Sequence, residues 1–341
     1  MNRKQLSLIT FSLFFFLLNG SGILQAQNAT SRKGSRGTSY EFNYDEPYRL
    51  KDLFIQIQPF YGEVFVTNVN VGFGAEVQYY LSDQFDFRAN FRTTYGKSFD
   101  INRDAAVKVS KSVTHFGNVP RAFYYLEVGG TYHLRDQAYD GQSKIALYSK
   151  RLKGAKWAAH VPENIVVPSK VRKIIGARLG AFHYSTTVDL QRTMDDQNVW
   201  IASNQGESFP HEGNFEMFGN LQVNGIYIGG SMAWFRNFSV RPKNYSNLTK
   251  DLLLTTYFDV LVAPSVLLED IVYLGNIYST DPIKKNKLGF RMGIDGKFNQ
   301  ELSWSYGAEM GYRPSLKGQG TYVLIKASFP VLGFTFKKKE G

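Results

Sequence analysis

A chain of 341 residues that is 43% hydrophobic and 15% aromatic, with 31 glycines, is long enough for one large β-domain or two ordinary ones, and its composition favours the first. A mean hydropathy of −0.28 is too polar for helical membrane spans along its length, and the absence of Cys excludes a disulfide framework and a lipidated cysteine. The formal net charge of +11 points to anionic partners.

Residues 1–26 carry the charged, apolar and small-residue order of a secretory signal: Arg3 and Lys4, then Leu6 to Leu18, then Leu24-Gln25-Ala26. The apolar run falls short of the roughly 20 residues of a membrane anchor. Cleavage near Ala26 would remove Arg3 and Lys4 and leave a formal charge of +9, from +11. An exported chain rarely meets nucleic acid, so lipid phosphates, anionic polysaccharide or an acidic protein are the expected partners. Residues 27–51 are small, charged and aperiodic at first, and read as a flexible tail.

Residues 52–336 read as one all-β domain. Strand one is expected over Leu53–Tyr61. The clearest stretch runs from Val71 to Tyr95, where Val71, Phe73, Ala75, Val77 and Tyr79, then Phe85, Phe87, Ala89 and Phe91, alternate with small, polar or charged residues. Ser82-Asp83-Gln84 makes the tight turn between its two strands. A long polar connection, 96–121, leads to a third alternating strand over Phe123–Leu134.

Segment 135–173 reads as a long basic loop, with nine basic against three acidic side chains; a strand pair hidden in it would change the side on which it lies. Ile174–Ser185 alternates again, and 186–216 is acidic, six against Arg192 alone. Met217–Asn237 is either one long strand or two strands around Asn224-Gly225, a hairpin-favouring dipeptide. Leu252–Val262, Leu288–Phe298 and Leu302–Arg313 alternate, and the chain closes with an aromatic strand from Thr321 on to Phe336, followed by the basic tail 337–341.

This pattern resembles the single-domain outer-membrane β-barrels of Gram-negative bacteria. The resemblance implies a single antiparallel transmembrane barrel of about 10 to 14 strands, with about 12 the central expectation, apolar side chains toward lipid and polar ones in the lumen. The expected lumen set is Glu76, Asp86, Arg88, Arg92, Glu127, Arg178, Asp259, Arg291, Asp295, Lys297, Glu309 and Arg313. Charges of both signs in a narrow barrel are expected to pair, whereas a wider barrel would make them the lining of a channel.

The resemblance further implies an outer-membrane location beside membrane lipid and lipopolysaccharide. The expected role is a non-enzymatic component of an envelope complex, of the protein-secretion or membrane-assembly type. Lys144, Lys150, Arg151, Lys153 and Lys156 of the basic segment are the candidates for docking a protein partner. A passive or ligand-specific channel is the alternative.

A second alternative is an outer-leaflet lipid acyl hydrolase. His183 and Ser185 share a strand face, and their spacing resembles that of outer-membrane phospholipases and lipid A deacylases, where His-x-Ser is followed by Asn. Thr186 stands there in this chain, leaving Asp195, Asp196 or Asn198 as third members. His211-Glu212 has no second His at metal-binding spacing, and no Gly-rich phosphate loop follows a strand, so neither metal nor cofactor is expected.

Overall fold

The computed structural model describes residues 39–65, 68–82, 84–96, 117–147, 163–204, 206, 208–209, 218–243, 245–299 and 304–335. The signal segment, the basic tail, 148–162 within the basic segment and 205, 207 and 210–216 within the acidic one lie outside them.

Ten antiparallel strands close into a barrel: β2 (Leu53–Phe65), β3 (Asn68–Ser82), β4 (Phe85–Thr94), β5 (Tyr124–Leu147), β6 (Glu163–Asp189), β7 (Phe218–Phe235), β10 (Leu252–Leu268), β14 (Leu288–Phe298), β15 (Ser305–Tyr312) and β17 (Thr321–Phe334). Each pairs with the next in this order, and β17 returns to β2. The short strands are β1 (Tyr40–Asp45), β8 (Phe238–Pro242), β9 (Leu248–Lys250), β11 (Ile271–Tyr273), β12 (Asn276–Tyr278), β13 (Lys285–Asn286) and β16 (Ser315–Leu316). Among the described residues a helix, α1 (Leu190–Gln197), follows β6 and is capped by Asp189, whose side chain accepts from the Arg192 N–H.

The alternation falls as a transmembrane pattern requires. Phe73, Phe87, Phe91, Leu126, Val128, Leu179, Ile228, Phe258 and Ile325 are exposed on the outside, while Glu76, Arg92, Glu127, Arg178, Asp259 and Arg291 are buried within. At Pro59–Phe60 the register of β2 slips against β3, switching its inward face from Phe54, Gln56 and Gln58 to Tyr61, Glu63 and Phe65. Pro59 has no N–H to leave unpaired, so a bulge there sacrifices no donor.

Three expectations are corrected. The barrel has ten strands where about 12 were central, because Met217–Asn237 supplies one strand, not two. Asn224 and Gly225 lie mid-strand, paired with His183 and Phe182. A Cβ at Gly225 would stand 2.3 Å from the Phe182 ring, so the glycine makes room for that ring instead of forming a turn.

Secondly, much of segment 135–173 is strand. β5 continues to Leu147 and β6 begins at Glu163, so the hairpin overhangs the barrel at the end where β2 begins and β17 finishes. Thirdly, part of the stretch read as a flexible tail is β1, which pairs with β8 in a sheet of order β1-β8-β9. This sheet packs on the overhang: Ile145, Leu147, Ile165 and Val167 share a core with Phe238 and Val240, flanked by Tyr40, Tyr245 and Leu248.

Connection lengths do not alternate throughout. The β2–β3 link, 66–67, is as short as 83–84 at the opposite end. Other connections at the end away from the start of β2 are long. They carry α1, β11, β12, β13 and β16, and Leu190, Met194, Ile271, Tyr273, Tyr278 and Leu316 among them join the apolar core at that mouth.

Candidate functional site

The barrel interior is built in three layers. Nearest the long connections it is apolar, with Phe65, Phe123, Phe182, Leu221, Val223, Leu261 and Leu324 in one core with Leu190 and Met194 of α1 and with Ile271, Tyr273 and Tyr278. No water-filled path is expected through close-packed aromatics and aliphatics of this kind.

The middle layer is a ring of arginines, carboxylates and tyrosines. Arg291 donates to both oxygens of Glu127 at 2.6 and 2.8 Å, and through Nε to Asp259 at 2.8 Å. Arg178 Nε lies 3.1 Å from the other Asp259 oxygen. Arg313 donates to Glu63 at 2.6 Å, while Tyr257 and Tyr322 each donate to Glu309 at 2.6 Å. Ring faces complete the shell: Arg313 sits 3.8 Å over Tyr322, Arg178 4.1 Å over Tyr257, Arg291 4.3 Å over Tyr227 and Arg92 4.4 Å over Tyr125. Desolvated charges persist only with such compensation, so the layer is a rigid plug.

The lower layer, toward the start of β2, is polar and looser. Arg88 bridges Glu76 at 3.0 Å and Asp295 at 2.8 Å, and Lys326 Nζ reaches the same two carboxylates at 2.8 Å each. His133 Nε2 lies 2.8 Å from Asp86. The cavity they border has about 50 Å³ of room for water centres, enough for roughly three or four molecules.

All twelve of the expected lumen residues point into this interior, in the middle and lower layers. Two further partners were missed, Glu63 and Lys326. Glu63 lies past the point where strand one was ended, beyond the bulge at Pro59–Phe60. Lys326 lies on a strand apolar on both faces, where alternation alone does not say which side is inside. With them the interior holds seven cations (Arg88, Arg92, Arg178, Arg291, Lys297, Arg313 and Lys326) and seven anions (Glu63, Glu76, Asp86, Glu127, Asp259, Asp295 and Glu309) among the described residues.

His183 and Ser185 are not brought together. The His183 ring nitrogens lie 2.8 Å from the Tyr124 hydroxyl and 2.6 Å from Asn224 Oδ1, while Ser185 is fully buried and its hydroxyl has no partner among the described residues. A serine nucleophile needs a base on its own hydroxyl, which this histidine does not provide. Asp195, Asp196 and Asn198 belong to α1 and its C-cap.

Of the docking candidates, Lys144 is exposed on the overhang, and its carbonyl accepts from Lys250 Nζ at 2.9 Å. Lys150, Arg151, Lys153 and Lys156 lie outside the described residues, as do His211 and Glu212. Burial holds the Lys250 ammonium below its ordinary pKa, and the charge of Arg236 adds to the lowering.

No family model matches the chain, and no curated protein matches it. Solved structures similar to it include the toluene transporter TodX of P. putida, at 9% identity and a TM-score of 0.22 over 86% of this chain and 88% of that one. A bacterial polysaccharide outer membrane secretin is similar at 8% identity and a TM-score of 0.19, over 83% of this chain and 99% of the other. Similarities this weak carry no argument about role.

Proposed function

We infer that the chain is an integral outer-membrane barrel that conducts nothing and serves as a membrane-held docking component of an envelope complex. The observation that carries this reading is the filled interior, with an apolar core above a ring of paired charges. A ten-stranded barrel has little room to spare, and here arginine and tyrosine side chains occupy it.

The outer face supports insertion. On β6, Ile175, Ala177, Leu179 and Ala181 run between Lys173 and His183 on the same face. Those ten steps span ~33 Å along a strand. At the usual tilt of roughly 40° the height is about 25 Å, that of an outer-membrane apolar band. Trp304 beside Tyr306 and Phe85 beside Tyr132 supply aromatics suited to an interface.

The docking end is the overhang with its three-stranded cover. It exposes Arg135, Lys144, Lys170, Arg241 and Lys243, and the crowding of Lys250 by Arg236 favours an acidic partner there.

Purified protein in planar bilayers is expected to give no stable conductance, and co-purification from mild detergent is expected to retain an acidic envelope protein. Reversing Lys144 and Lys170 to Glu should release that protein without unfolding the barrel. Steady single-channel steps would replace this reading with a channel, and retention unchanged by the charge reversal would remove the docking role.

A further inference from the structure

The lower cavity has an ammonium without a bonded partner and two donors without acceptors. Lys297, on β14, is 7% exposed and borders the cavity. Its ammonium has no hydrogen bond or ion pair with any described residue; it lies 4.9 Å from the Phe54 ring centre and 5.8 Å from that of Tyr80. Asp295, two residues away on the same strand face, is taken by Arg88 and Lys326, and so is Glu76. Ring faces compensate a buried ammonium only partly.

Two neighbouring donors are open as well, beside one open acceptor, Gln58 Oε1. Gln56 is 4% exposed; its Oε1 accepts from Ser305 at 3.1 Å, but its Nε2 is buried without a partner. Arg88 Nε is also buried and unpartnered. Strand geometry brings the three into one neighbourhood: Gln56 lies two residues beyond Phe54 on β2 and pairs in register with Glu76, to which Arg88 is bound. Buried donors left open around a cavity call for an acceptor, and an uncompensated ammonium calls for a negative one.

We propose that the lower cavity is a binding site for a small monovalent oxyanion, of carboxylate or phosphate size, held by Lys297 with the Gln56 amide and Arg88 Nε. The proposal rests on the barrel interior and not on the membrane or docking reading. One negative charge gives the Lys297 ammonium the bonded partner it lacks, and space for a few waters limits the ligand to a single acid group. Closure of the far mouth by the apolar core leaves entry from the end where β2 begins.

The test is calorimetric titration of the detergent-purified full chain, in an oxyanion-free buffer, with acetate and with inorganic phosphate, alongside melting curves at each concentration. The wild-type chain should bind one equivalent of at least one probe and melt higher as the probe is added. Lys297→Met should weaken binding at least tenfold and flatten the melting response. Gln56→Leu, which keeps the ammonium, should weaken binding less. Lys287→Met, exposed at the opposite end of the barrel, should change nothing. If the melting curve shows Lys297→Met to be folded and it binds as the wild type does, the site is not at this lysine. If the wild-type chain takes up neither probe, or Lys287→Met abolishes the response, the cavity is no anion site.

Discussion

Strand β6 lives in two surroundings. Over 172–184 its even-numbered residues are the buried ones, Arg172, Ile174, Gly176, Arg178, Phe182 and Tyr184, and the odd-numbered Ala177, Leu179 and Ala181 are bare. Over 164–170 the assignment reverses: Ile165, Val167 and Ser169 are buried beneath β1, β8 and β9, while Asn164, Val166 and Lys170 are exposed. The slip in its pairing with β5, between His133 and Arg135, adds its extra residue, Leu134, to β5 and leaves β6 continuous, so the same side of one strand is uncovered in the barrel and covered in the overhang. A protein in water covers an apolar face, and this one does so only below the barrel wall. The proposed membrane reading supplies hydrocarbon as the cover for the rest.

The comparison is broken most severely from the inside. Arg291→Met strands Glu127, which loses both charge-assisted bonds and keeps only the Tyr125 hydroxyl, while Asp259 retains Arg178. Breaking a buried pair in this way costs about 3–5 kcal/mol. Urea unfolding from lipid vesicles should show that loss, and Arg291→Met with Glu127→Gln should recover a good part of it. A single variant as stable as the wild type would mean that the interior is wet enough to solvate a lone carboxylate. No such sensitivity is expected of the overhang, whose core is aliphatic and aromatic.

How far the sequence disclosed these two surroundings differs between them. Within the barrel, side chains on opposite faces differ sharply in polarity, so Glu76, Arg88, Glu127, Arg178 and Asp259 were assigned to the lumen from alternation alone. The overhang also alternates, Ser143, Ile145 and Leu147 against Gln142, Lys144 and Ala146, but its apolar residues are few and its basic ones many, and it read as loop. Its cover was invisible because β1 and β8 are brought together across nearly 200 residues, which no local pattern records. The Asn224-Gly225 dipeptide misled for a similar reason. Its glycine answers to Phe182 on the neighbouring strand and not to its own chain. His183 and Ser185 do share a strand, yet the bonds of His183 go to Tyr124 and Asn224 on flanking strands and not to the serine.

A smaller break comes from outside. Leu179, 62% exposed on the bare part of β6, can be replaced by Arg without disturbing any core contact. In water such a surface change is nearly silent, within about 0.5 kcal/mol. Facing hydrocarbon near mid-band it costs about 2–4 kcal/mol. The loss should appear in unfolding from vesicles. Its absence would mean that this face meets water and that the membrane reading is wrong.

The smallest expected effect sharpens the same contrast. Val166 is as apolar as Leu179 and, at 53%, nearly as exposed, and it stands on the same strand, but on the uncovered side of the overhang. Val166→Arg should change stability by no more than about 0.5 kcal/mol, because water lies on that side and a guanidinium there stays hydrated. The two substitutions share residue chemistry, exposure and strand, so only the medium can separate their costs. If Val166→Arg costs as much as Leu179→Arg, the hydrocarbon extends past Lys173 and the overhang is immersed in it. The basic side chains of that end would then have to reach to the membrane surface instead of toward a partner.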